Sequence, residues 1–236
     1  MNIEIQRSSE RGLTKIGWLN SRHSFSFGNY HNPKKMNFGL LRVLNDDIIG
    51  AGKGFGMHFH DNMEIVSIAV EGALEHKDSM GSHGIIKENE IQSMSAGTGI
   101  KHSEFNHSKK EKAHFLQIWI EPKEQDIKPE YCQKKFSDED FNNRLRLVVS
   151  GKKEKNTLCI HQDAYFLIGD FNKGKSDLYK LEKVSNGVYF FVIEGSVNLE
   201  NEALGTGDAA EITQTEKISF KATEKSKILV IEVPMK

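Results

Sequence analysis

Two pairs of side chains, His58 with His60 and His102 with Glu104, have the types and spacing that a transition-metal ion needs. Residues two apart on a β-strand point to the same face. The stretch Gly54-Phe55-Gly56-Met57-His58-Phe59-His60 can therefore hold two imidazoles side by side. The stretch Gly99-Ile100-Lys101-His102-Ser103-Glu104 can hold an imidazole beside a carboxylate. One His-x-His alone is weak, because 10 histidines in 236 residues give roughly 0.4 such pairs by chance. The second pair strengthens it. Two strands that each lend two ligands to one barrel interior make a site of three imidazoles and one carboxylate. That donor set suits one divalent ion of Fe, Mn, Ni, Co, Cu or Zn better than Ca or Mg. Four protein ligands on a six-coordinate ion leave room for water, oxygen or substrate, as in a catalytic centre.

The elements that must position these residues read as strands. Glu64-Ile65-Val66-Ser67-Ile68-Ala69-Val70, Phe115-Leu116-Gln117-Ile118-Trp119-Ile120, Gly187 to Ile193 and Ile228 to Val233 are short β-branched or aromatic runs bounded by turn residues. Many such runs, with 20 glycines and weak helical periodicity, predict an all-β sandwich or barrel. The polar, proline-interrupted stretch after Glu121 predicts a break, and Ser137-Asp138-Glu139-Asp140 looks like a helix N-cap. The expected organisation is an N-terminal domain over 1–125 with the metal site, a linker with one short helix over 126–143, and a C-terminal domain over 144–236. A short echo, Val70-Glu71-Gly72-Ala73-Leu74 against Ile193-Glu194-Gly195-Ser196-Val197, motivates two copies of one β-fold.

Bulk properties exclude other classes. The net charge of −1 carries no basic excess for nucleic-acid binding. Two cysteines outside any CxxC predict reduced thiols. No apolar run reaches the ~18 residues of a membrane span, and the first residues lack a signal-peptide core, so the expected compartment is the cytoplasm. Lys152-Lys153-Glu154-Lys155 reads as a solvated turn. Among the remaining histidines, His76, His83 and His107 are expected on the surface, His23 and His31 in packing or turns, His114 at a strand start, and His161 at a domain contact. The second half has no His-x-His and no nearby His–Glu pair, so its barrel is expected to be metal-free.

The spacing Gly52-x5-His58-x-His60-x3-Glu64, then Gly99-x2-His102-x3-Asn106, resembles the paired motifs of the cupin superfamily. The wording is closer to the pirin branch. Gly54 to His60, Met63-Glu64-Ile65-Val66, Glu71 to Ser79, Met94 to Glu104, Gln117-Ile118-Trp119-Ile120, Gly17-Trp18-Leu19, His23 to Gly28 and His161-Gln162-Asp163-Ala164 all resemble pirin segments. Phe59 departs from the usual proline, and Asn89-Glu90 from a usual Gly-Asp turn; neither replaces a ligand. The resemblance implies two tandem cupin (jelly-roll) β-barrels, with one metal in the first barrel held by His58, His60, His102 and Glu104. Fe(II) is the first expectation for that metal. Glu64 is the alternative carboxylate, because many cupins ligate through the first-motif glutamate; if not a ligand, it would support one from behind. Met57, Met63 and Met94 are candidates for a soft pocket wall, with core filling as the plainer role.

Family members of this kind include quercetin 2,3-dioxygenases, and others are iron-dependent transcriptional cofactors. The first functional expectation is therefore a metal-dependent dioxygenase that opens a flavonol-like aromatic enol with O2, with Glu104 as ligand and general base. The alternative is a metal- and redox-responsive regulatory binding protein that acts on a protein partner without turnover. A metal-dependent isomerase is a more distant third. An accessible pocket at the open coordination positions would favour an enzyme.

Overall fold

Strand Glu64–Glu71 is buried along nearly its whole length, as are Asn186–Glu194 and Ser226–Pro234, and Ala113–Ile120 is buried at five of its eight positions and half-buried at the rest. A strand covered on both faces reads as a continuous apolar run rather than an alternating one. That is why these four were visible in the sequence, and they form the centres of two large sheets. In the computed structural model, which describes residues 1–152 and 154–235, one seven-stranded sheet runs in the order Glu130–Lys135, Glu90–Ser95, Glu64–Glu71, Ala113–Ile120, Leu41–Ile49, Leu19–His23, Gly12–Ile16. A four-stranded sheet of Gly54–His60, Ile100–Asn106, Ala73–Asp78 and His83–Lys87 belongs with it. The second half repeats the plan with another seven-stranded and another four-stranded sheet. These are tandem cupin-like domains. Among the described residues no helix is long and apolar enough to cross a membrane.

Strand parity shows how the halves meet. On Ala113–Ile120, Leu116, Ile118 and Ile120 join an apolar cluster with Phe166, Ile168, Phe191, Leu229 and Ile231 of the second half. The two seven-stranded sheets thus pack back to back. Opposite faces of the same strands point into separate barrel interiors. Ile228, Val230, Phe190 and Val188 fill the second with apolar side chains. The first interior holds smaller apolar clusters, one around Leu74, Ile86 and Phe115 and one around Ile65, Met94 and Ile100. The rest of it is polar.

The internal echo corresponds to matched hairpins. Gly72 and Gly195 both adopt positive φ, 81° and 84°, between strands Glu64–Glu71 and Ala73–Asp78 and between Asn186–Glu194 and Ser196–Leu199. Positive φ at both turns is the reason glycine recurs there.

The expected linker differs from the observed chain path. A short helix, Asp138–Phe141, is present, and the Ser137 N–H donates to the Asp140 carboxylate at 2.9 Å. Residues Glu130–Lys135, however, form an edge strand on Glu90–Ser95. The first residues also cross over: Asn2–Gln6 pairs with Ala209–Thr213, and Ile3 and Ile5 pack on the second barrel's core. Both segments are short and half exposed, so each lacks the apolar run that marks a central strand. Lys152 pairs with Glu182 at 2.7 Å; Lys153, within the predicted solvated turn, lies outside the described residues.

One close approach sets the geometry of the first barrel. A Cβ on Gly54 would lie 2.2 Å from the Glu104 carbonyl oxygen and 2.5 Å from the Phe105 Cα. Gly54→Ala is expected to destabilise the metal-free protein by about 1–3 kcal/mol in urea denaturation. Gly56→Ala, with no neighbour within 4 Å, is expected to change stability by less than about 0.5 kcal/mol.

Candidate metal centre

Strands Gly54–His60 and Ile100–Asn106 pair antiparallel, with His102 opposite His58 and Ile100 opposite His60. The three imidazoles therefore converge on one face. Ring centroids are 4.4 Å apart for His58 and His102, 4.8 Å for His58 and His60, and 4.9 Å for His60 and His102. One ligand atom from each lies within 4.8 Å of the others. The register slips between His102 and Glu104, so Glu104 faces Phe55. The extra residue of this β-bulge lies on Gly54–His60, while Ile100–Asn106 keeps an unbroken register with Ala73–Asp78, so Glu104 stays on the His102 side, next to the large sheet. There Gln117 Nε2 donates to Glu104 Oε2 at 2.6 Å, and the one Ser67 hydroxyl proton is shared between Glu104 Oε1 at 3.1 Å and Gln117 Oε1 at 2.8 Å.

Hydrogen bonds settle which nitrogens are free. His58 Nδ1 lies 2.8 Å from the Gly56 carbonyl oxygen. A carbonyl only accepts, so the proton is on Nδ1 and the Nε2 lone pair is available. His76 Nε2 lies 3.1 Å from Asp78 Oδ2, and the other Asp78 oxygen accepts the Met80 and Ser82 N–H groups at 2.9 Å each. With its proton toward Asp78, His76 presents a lone pair on Nδ1, 3.5 Å from His102 Nδ1. His102 then donates from Nδ1 and keeps its lone pair on Nε2. That Nε2 is buried and has no hydrogen-bond partner. An orphaned basic nitrogen beside two other imidazoles fits a metal ion.

Charge points the same way. Burial, followed by the His58 charge, lowers His60 to about 4 and His102 to about 2. Both rings are thus neutral at pH 7, as metal ligands must be. Burial raises the Glu104 carboxyl to about 7, against the opposing pull of Ser67 and Gln117, and the like charge of Asp47 adds to the rise.

The expected site residues divide as follows. His58, His60 and His102 form one cluster. Glu104 is close to His102, within a second group that also contains His76. Glu64 lies elsewhere. The strand ends at His60, the chain turns through Asn62 at φ 43°, and a new strand begins at Glu64. The turn breaks the parity that would have put Glu64 on the His60 face. Its carboxylate accepts from Ser95 Oγ at 2.7 Å, and His161 is among the charges acting on it. Met57 is exposed, while Met63 and Met94 pack with Ile65, Ala96 and Ile100. None of the three lines the cavity described below. His76, expected on the surface, is fully buried and stacks on Tyr131 at 4.6 Å. It lies on Ala73–Asp78, where Leu74, His76 and Asp78 alternate with Glu75 and Lys77; that alternation was readable. His161 contacts Glu130 at 3.2 Å, and its carbonyl accepts the Lys123 N–H at 2.8 Å.

A cavity of about 200 Å³ opens onto this cluster. His58, His60, Phe55, Phe27 and Trp119 line one part of it, and Glu104, Gln117, Asn45, Asp47 and His23 another. His60 meets the Trp119 ring edge-on at 4.8 Å.

Tandem barrels with a three-imidazole cluster inside the first define a bicupin with a candidate metal centre. The pirin family model matches residues 5–120, and that of the quercetinase C-terminal cupin domain matches residues 147–233. Quercetin 2,3-dioxygenase of Escherichia coli K12 is 39% identical over 232 residues, covering 98% of this chain and 99% of its own. A relative from Zymomonas mobilis is 43% identical over 221 residues, 93% of each chain. A bacterial pirin from Escherichia coli, solved in complex with nickel(II), superposes with a TM-score of 0.94 at 38% identity over the whole of both chains. The chain belongs to the pirin family.

Metal affinity is expected to depend on pH through Glu104. Its raised carboxyl is protonated below about 7 and must lose that proton to ligate, so affinity should rise about tenfold per pH unit up to about pH 7 and then level off. Glu104→Gln is expected to bind more weakly and to flatten this slope, as read by competition with a chromophoric chelator. Glu64→Gln is expected to leave both affinity and slope unchanged.

Proposed function

We propose that this chain is a metal-dependent dioxygenase of the quercetin 2,3-dioxygenase type, opening a flavonol-like aromatic enol with O2. His58, His60, His102 and Glu104 hold the ion, for which Fe(II) is our first assignment among Fe, Mn, Ni, Co, Cu and Zn. The observation that carries this reading is the cavity itself, which reaches His58, His60 and Glu104 from outside, with His102 buried behind them. When bound, the ion supplies Lewis acidity that favours the deprotonated enol oxygen of the substrate.

The chain's own groups do the rest. Phe27, Phe55 and Trp119 offer flat apolar walls to an aromatic ring. Burial raises the Glu104 carboxyl to about 7 in the metal-free protein; a bound ion would lower it, leaving an ionised carboxylate that can accept the enol proton if it moves off the ion. Gln117 and Ser67 hold it in place and accommodate either protonation state, because the Ser67 hydroxyl can reorient. The alternative, a regulatory binding protein with a protein partner, would use the same four residues but has no need of an aromatic-walled cavity at them.

Protein prepared without chelators or a His-tag is expected to carry about one metal per chain. It should consume quercetin and O2 with release of carbon monoxide, and His102→Ala should lose both metal and turnover. One metal per chain without turnover of quercetin or related flavonols would favour the regulatory reading. No uptake of any of the six metals would end both.

A further inference from the structure

The cavity has a second polar group that the reaction as derived leaves without a task. Asp47 sits on strand Leu41–Ile49 with Asn45 two residues before it, and both side chains line the cavity. Asp47 is 5% exposed, and its Oδ1 has no hydrogen-bond partner. A buried carboxylate oxygen without a donor costs more than an ordinary surface acid, so it calls for a partner. Its sheet neighbours do not supply one to Oδ1. Phe115 lies opposite on one side and Ser21 on the other, and the Ser21 hydroxyl acts on the carboxylate without reaching that atom. Arg11 pairs with Asp46 on the opposite face of the same strand.

The surroundings of Asp47 are already organised. Asn45 Oδ1 lies 2.7 Å from His23 Nδ1, and His23 Nε2 lies 2.9 Å from Thr14 Oγ1. These contacts pin the adjacent wall, so an arriving group meets fixed partners. Exposure also orders the cavity. Gly28 and Asn29 are exposed at its rim, whereas Ser21, His23, Asn45 and Asp47 are buried. At about 200 Å³ it is smaller than the roughly 300–1,000 Å³ of sites that enclose a drug-sized molecule. A flavonol-sized ligand would therefore enter it only in part, with the remainder at the rim.

We infer that Asp47 is a substrate-recognition residue whose carboxylate turns its enclosed, unpartnered oxygen into the cavity to accept a hydrogen bond from a ring hydroxyl of the ligand, distinct from the enol oxygen at the metal end. This rests on the flavonol reading of the same cavity. It makes the preferred ligand a hydroxylated aromatic enol rather than an unsubstituted one. A site built to bond a hydroxyl rejects the analogue that lacks it, because the buried acceptor is then left unpaired.

The test compares quercetin with 3-hydroxyflavone, which keeps the enol and lacks the ring hydroxyls. Titration calorimetry on metal-loaded protein under argon measures binding without turnover. Wild type is expected to bind quercetin about 10- to 100-fold more tightly. Asp47→Asn, which keeps shape and removes the charge, is expected to shrink that ratio to a few-fold with metal content unchanged. Equal affinities in wild type, or an unchanged ratio in a folded, metal-loaded Asp47→Asn, would overturn the inference. If Asp47→Asn does not fold, Asp47→Ser is measured in its place against the same two ligands, with the same two outcomes. Oxygen uptake is measured separately in air: discrimination without uptake refutes the dioxygenase reading and leaves Asp47's role standing.

Discussion

Keeping the Glu104 carboxylate inside a barrel is the constraint on which the rest of the first domain depends. An ionised carboxylate away from water is strongly unfavourable unless paired. Here two neutral side chains, Ser67 and Gln117, donate to it, while Asp47 adds charge of like sign. The neighbouring imidazoles are held neutral by burial. Arg11 and His114 act on Asp47, but no cation is among the groups acting on Glu104 itself. A divalent cation would satisfy both the imidazole lone pairs and this carboxylate, and binding it would stabilise the fold through its affinity.

The second barrel shows what the same fold does with a purely structural carboxylate. Glu232 is also fully buried, but it receives Tyr179 Oη at 2.6 Å, Asn186 Nδ2 at 2.8 Å and the backbone N–H groups of Glu182 and Lys183 at 2.9 and 3.0 Å. Four donors account for its acceptor capacity. Around it the interior is filled by Tyr165, Leu167, Val188 and Phe190. Burial alone therefore does not distinguish the two acids. Glu104 is set apart by fewer donors, an orphaned imidazole nitrogen nearby and a cavity leading in.

Much of this was legible in the sequence, for identifiable reasons. The central strands announced themselves because both faces are buried, and the His-x-His and His-x-Glu pairs because strand parity puts each pair on one side. Segments with weak patterning were not visible. Asn2–Gln6 and Glu130–Lys135 pair at sheet edges, where half the residues meet solvent. Glu64 shows where parity reasoning stops: a turn at Asn62 resets the alternation, and no periodicity argument survives it. His76 and Asp47 needed the register. Each lies on an alternating strand, but only pairing across the sheets reveals that His76 backs His102 and that Asp47 and Asn45 face the cavity with Gln117. The choice among transition metals is not written in the donor set, since imidazole and carboxylate serve several of them.

The central claim is that one ion sits between the two short strands, bonded to His58, His60, His102 and Glu104. Crystals of the metal-loaded protein, with anomalous data collected at the absorption edge of that metal, test it most directly. The account predicts a single anomalous peak within about 2.0–2.2 Å of His102 Nε2 and of one nitrogen each from His58 and His60, with a Glu104 oxygen completing the protein ligands. A peak held by His76, His102 and Glu104 without His58 and His60, or one beside Glu64, would contradict it.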